Sequence, residues 1–291
     1  MVETLETAQE IIVVNEKILE GIKKRISKDG FDKFHIVADF DRTLTKAYVN
    51  GEKIPSLISI LRNGDYISED YARRAHELAD KYRPIEMDVN YDSEKKRKKM
   101  YEWWRKHFDL LIESGLNRKH IESIVKSGRA QFREGVKDFL NYLNECKIPL
   151  VIISSTGLGS DSISMFLEYQ GVLYDNIHIV SNQYEWDEDG NAVSVREPLI
   201  HVMNKDETTL DDFPFYKEIK DRRNVLLLGD SLGDEGMIEG FSYSNLIKVG
   251  FLNEDVEKNL GVFKYNYDVV LTGDQDFNYV NELMEEMFNG K

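Results

Sequence analysis

The sequence predicts an α/β protein: a Rossmann-like parallel sheet flanked by helices, with a helical cap inserted after the first motif. Three observations carry this. Short apolar runs recur after residue 131: "IPLVIIS" (148–154), "NIHIVS" (176–181), "NVLLLGD" (224–230), "NLIKVG" (245–250) and "YDVVLTG" (267–273). Helical patterns separate several of them, at 134–146, 160–170, 211–221 and 233–240. Buried runs alternating with helices read as a parallel sheet covered on both faces. Finally, one similar run, "FHIVADF" (34–40), stands far upstream, and helical patterns fill 56–130 behind it.

Each element has its own signal. Residues 5–26 place Ile11, Val14, Ile18, Ile22 and Ile26 at helical spacing and predict an amphipathic helix. In 94–112, Met100, Trp104, Phe108 and Leu111 share one helical stripe, with Trp103 and His107 on the next. Residues 182–200 read as a hairpin turning at Asp189-Gly190. The expected division is a core of 1–46 and 131–291, with a cap of 47–130 above the strand ends. Ligands of open α/β sheets bind outside the carboxyl ends of the strands.

Composition narrows the partners. The 291 residues include 38 basic and 53 acidic side chains, a net charge of −15. So acidic a chain is unsuited to nucleic acid or an anionic membrane. The single cysteine, Cys146, permits no internal disulfide, and no cysteine cluster suits zinc. The longest apolar run near the start, "IIVV" at 11–14, is too short for a signal or a membrane span. A cytoplasmic protein, monomeric or weakly dimeric, is expected.

The chemistry sits at strand ends. "ADFDRTLT" places Asp39 and Asp41 after a buried run; "SSTGLG" follows a second, "NKD" surrounds Lys205, and "GDSLGD" carries Asp230 and Asp234. Buried acids need partners. Three of them, Asp39, Asp41 and Asp230, at one sheet edge cannot all stay ionised without a cation between them. Magnesium suits few carboxylates and several waters. A lysine, a serine hydroxyl and glycine-loop amides beside such an ion form a phosphate site.

In order and spacing these stretches resemble the haloacid dehalogenase-like superfamily, whose DxDxT signature stands here as Asp39, Asp41 and Thr43. "YRPIEMD", "YEWWRKHFDLLIESG", "SSTGLG", "IHVMNKDE" and "LLLGDSLGDEGM" are similar to the cytosolic pyrimidine 5′-nucleotidase family. The resemblance implies a magnesium-dependent phosphatase of nucleoside 5′-monophosphates, pyrimidine or 7-methylguanosine, working through an aspartyl-phosphate. It casts Asp39 as nucleophile and Asp41 as acid and base. Asp39, the Asp41 carbonyl and Asp230 would hold magnesium. Ser155, Thr156, Gly157, Lys205 and Thr43 would surround the phosphate, with Ser154 against Ser155 left open by the register. Asp234 would orient Lys205 or a metal-bound water. Glu86 would read the base and Trp104 stack on it. His107 stands where pyrimidine-specific members are expected to carry serine. The alternatives are a phosphatase for another small monoester such as phosphoserine, or a non-catalytic binding module of this fold.

Overall fold

The structure, a computed structural model, describes residues 9–54, 56–88, 91–205, 213–239 and 242–288. The chain opens with a short strand β1 (Ile11–Val13) and a helix α1 (Glu16–Asp29) capped by Asn15, whose side chain accepts the Ile18 N–H. The helix expected over 5–26 is therefore shifted. The β-branched run Ile11-Ile12-Val13 pairs antiparallel with a strand from the far end of the chain instead, and residues 5–8 lie outside the described residues.

The buried strand β2 (Phe34–Ala38) leads to the paired aspartates. A small hairpin follows, β3 (Tyr48–Val49) with β4 (Glu52–Lys53), then four helices: α2 (Leu57–Arg62), α3 (Glu69–Met87), α4 (Ser93–Glu113) and α5 (Arg118–Lys126). The hairpin has no counterpart in the sequence reading. The chain leaves and re-enters the core at one point: Thr45 bridges Phe132, and the Lys46 N–H donates to the Gln131 carbonyl.

The core resumes with α6 (Val136–Glu145), β5 (Leu150–Ser154), α7 (Gly159–Tyr169) and β6 (Ile177–Ser181). The expected hairpin is β7 (Tyr184–Trp186) with β8 (Ala192–Val195), turning through Gly190 at φ +80°. Then come α8 (Tyr216–Ile219), β9 (Asn224–Gly229), a 3₁₀ turn over Leu232–Ile238, β10 (Asn245–Leu252), α9 (Val256–Asn266), β11 (Val269–Thr272) and α10 (Asn278–Phe288). The helix expected over 211–221 shortens to α8, with 211 and 212 outside the described residues.

The main sheet has the order β1-β11-β10-β9-β2-β5-β6, parallel except for β1. β2, β5 and β9 are buried throughout, as strands covered on both faces must be. The strands that carry the chemistry are neighbours: β2 lies between β9 and β5. A parallel sheet puts all their carboxyl ends on one edge, so Asp39, Asp230 and Ser155 emerge together although far apart in sequence.

Candidate active site

Asp39 follows β2 directly, and its N–H donates to the Leu228 carbonyl of β9, fixing its backbone to the sheet. Its carboxylate is buried and receives the Lys205 ammonium at 2.6 Å. Lys205 donates equally to Asp234 at 2.7 Å. Burial works against the lysine's charge, and the two carboxylates overrule it and raise its pKa. Asp39 is pushed well above the usual carboxylate range, by burial first and by Asp234 and Asp230 as well, against the pull of Lys205.

Asp234 is locked. Its second oxygen accepts the N–H groups of Asp230 (3.0 Å) and Ser231 (2.9 Å) and the Ser231 hydroxyl. Its other oxygen is the one that accepts from Lys205. Asp230 stands 3.4 Å from the Arg42 guanidinium; burial raises its pKa to about 6 against that pull. Arg42 also holds Glu254, which pairs with Lys53 of β4. Asp41 accepts the Leu57 N–H at the start of α2, and burial pushes it up to about 7.

Asp39, Asp230 and Asp234 each offer a carboxylate oxygen within 4.8 Å of the others. Crowded, largely buried, all-oxygen donors fit a hard divalent cation.

The loop after β5 leaves the same sheet edge as Asp39. The Ser154 hydroxyl is buried and accepts the Thr156 N–H at 3.2 Å, which leaves half-buried Ser155 as the serine just past the strand end. The Gly157 carbonyl accepts the Tyr184 hydroxyl at 2.7 Å, and the Thr156 carbonyl accepts from the Asn182 amide. Thr43 is buried; its carbonyl accepts from Arg133, and its hydroxyl has no hydrogen-bond partner among the described residues. Asp206 lies outside the described residues.

Two α4 stripes reach towards the site. Trp104 lies near-parallel to Trp103 and to Phe108 and meets His107 edge-on. A side chain on Gly157 would collide with the Trp104 ring, so the helical insertion touches the loop directly. His107 is buried, burial drops its pKa to about 3, and its Nε2 has no hydrogen-bond partner among the described residues. Glu86, near the end of α3, pairs with Arg83, and burial raises its pKa. It is not brought against Asp39 by any described contact.

Sequence reasoning passed over Arg133. It is buried and donates to the carbonyls of Arg42, Thr43 and Gln275, to Asn253 and to Asp274. It ties down the loop after Asp41, where Arg42 has φ +64°. An isolated arginine beside "QF" carries no such signal.

A sheet edge carrying a buried acid cluster, a lysine between two carboxylates and a glycine loop defines a haloacid dehalogenase-like phosphatase, a fold that works with a divalent metal. Residues 42–288 match the family model "Pyrimidine 5′-nucleotidase (UMPH-1)", and the chain belongs to that family of phosphoric monoester hydrolases. It is 37% identical over 262 residues to 7-methylguanosine phosphate-specific 5′-nucleotidase A of Xenopus laevis, covering 90% of both chains. It is 35% identical over 270 residues to the human 7-methylguanosine phosphate-specific 5′-nucleotidase, covering 92% of this chain and 89% of that one. Among solved structures it resembles cytosolic 5′-nucleotidase IIIB bound to cytidine, with a TM-score of 0.86, 28% identity, and coverage of 97% of this chain and 94% of the other. The chain is thus a 5′-nucleotidase. No described helix is long and apolar enough to cross a membrane.

Proposed function

We propose that the chain hydrolyses pyrimidine and 7-methylguanosine 5′-monophosphates to nucleoside and phosphate, with Asp39 as nucleophile and magnesium as the metal. The observation that carries this is the contact between Trp104 and Gly157, which sets an aromatic ring beside the phosphate loop. A nucleotide whose phosphate lies over Asp39 extends its base towards that ring. The names of the relatives support the same substrates.

Asp39 attacks phosphorus, and the phosphorus bond to the 5′-oxygen breaks, leaving an aspartyl-phosphate. Asp41, whose pKa near 7 lets it hold a proton at neutral pH, donates it to the departing oxygen. It then takes a proton from the water that hydrolyses the intermediate. Lys205, Ser155, Thr156 and Gly157 hold the phosphoryl oxygens, with Thr43 beneath the first motif. Asp39, the Asp41 carbonyl and Asp230 would hold the metal, which supplies charge neutralisation at the phosphoryl oxygens. Glu86, Trp104 and His107 serve the base.

Residues 47–130 act as a cap on the core of 1–46 and 131–291. The chain leaves and returns side by side, where Thr45 bridges Phe132, which supports that boundary. The net charge of −15 favours a small-molecule substrate over nucleic acid.

A substrate panel tests this reading: CMP, UMP, 7-methyl-GMP and AMP beside phosphoserine, each with magnesium. Selective phosphate release from CMP, UMP or 7-methyl-GMP is expected. Equal rates on all five, or a preference for phosphoserine, would contradict it.

A further inference from the structure

The loop bearing Asp230 and Asp234 is held from an unexpected direction. β9 ends in Gly229, which pairs in register with Gly250, two residues before the end of β10. With no side chain at Gly250, the ring of Tyr267 lies across it; a Cβ there would stand 2.7 Å from the ring. Tyr267 is 2% exposed, follows α9 and stacks on Phe263 at 5.3 Å. Its neighbour Asp268 accepts the Lys248 N–H of β10, so the ring is anchored at its root.

The hydroxyl passes over Gly229 and donates to the Ser231 carbonyl at 2.5 Å. A Cβ on Gly229 would stand 3.0 Å from that hydroxyl and 2.5 Å from the Asp234 Cβ. Two glycines on adjacent strands therefore open a slot through which an aromatic from another element reaches the Ser231–Leu232 peptide, one residue past Asp230.

We propose that Tyr267 is a positioning residue for the metal-holding acids. Its hydroxyl fixes the Ser231 carbonyl and, through that peptide and the Asp234 hydrogen bonds, the direction of the Asp230 carboxylate. Partners that orient ligating carboxylates are worth roughly 10–100-fold in metal affinity or activity. Tyr267 itself touches neither metal nor substrate. The inference rests on the reading that Asp39 and Asp230 hold magnesium.

Tyr267→Phe keeps the ring in its slot and removes only the hydroxyl. Magnesium alone, titrated calorimetrically into the substrate-free protein, should bind about tenfold more weakly to this variant than to the parent. Activity should fall at low magnesium and recover at saturating magnesium, with KM for the nucleotide unchanged. Gly250→Ala, which displaces the ring, should weaken the metal in the same direction. A merely structural role would lower the melting temperature without moving the magnesium isotherm. A Tyr267→Phe isotherm within twofold of the parent's overturns this inference alone. A parent that binds no magnesium overturns the reading of the acid cluster and this inference with it.

Discussion

The ring of Trp104 occupies the space that a side chain on Gly157 would need: a Cβ built on Gly157 would stand 2.8 Å from Trp104 Cζ3. One residue belongs to the helical insertion and the other to the loop after β5. The contact therefore couples the helical insertion, proposed to read a base, to the loop after β5, proposed to hold a phosphate.

Trp104→Ala should raise KM for the preferred nucleotide by about tenfold, since stacking of a base on an aromatic is worth about 1–3 kcal/mol. Para-nitrophenyl phosphate, which has no nucleobase, should be hydrolysed with nearly unchanged kcat/KM. Steady-state kinetics on the two substrates reads the difference, and equal losses on both would place Trp104 outside base recognition.

Asp41→Asn should separate leaving groups. A nucleoside 5′-alkoxide needs a proton as it departs, whereas para-nitrophenolate does not. The rate on a nucleotide should fall by about 10²–10⁴-fold, and formation of the phosphoryl-enzyme from para-nitrophenyl phosphate should fall far less. Rapid-quench measurement of nitrophenol release checks this.

Asp39→Asn should abolish turnover without weakening the metal-free fold. The raised pKa of Asp39 means that its charge is costly where it stands. A neutral isostere removes that cost, and the metal-free melting temperature should hold or rise by a few degrees. A fall of comparable size would show that the Lys205 pair outweighs the crowding.

His107 should shape stability in acid. Burial holds its folded pKa near 3, against an ordinary value near 6.5. Below pH 6.5 the unfolded chain takes up a proton that the folded chain refuses, so the contribution is whole above 6.5 and is lost as pH falls towards 3. His107→Phe should flatten the stability–pH curve between pH 6 and 4 by about 1 kcal/mol per pH unit. Denaturant unfolding at several pH values measures it.

The strands that position the chemistry were readable because fully buried parallel strands leave continuous apolar runs, as in Leu150–Ser154 and Asn224–Gly229. The first helix was misplaced because Ile11 and Val14 continue the spacing of Ile18, Ile22 and Ile26. Nothing in local sequence reveals that β11 waits to pair with residues 11–13. Asp39, Lys205 and Asp230 could be singled out because their types and strand-end positions are chemically informative, and Lys205 does meet Asp39. Arg133 and Tyr184 could not. Their roles are hydrogen bonds to backbone carbonyls of distant loops, which depend on tertiary position and leave no pattern.

The most direct test of the central claim is mass spectrometry of the protein acid-quenched during turnover of its preferred nucleotide with magnesium. The account predicts a phosphoryl group on the peptide bearing Asp39, absent in Asp39→Asn and absent after chelation. An unmodified peptide from the working enzyme, with turnover persisting in Asp39→Asn, would contradict it.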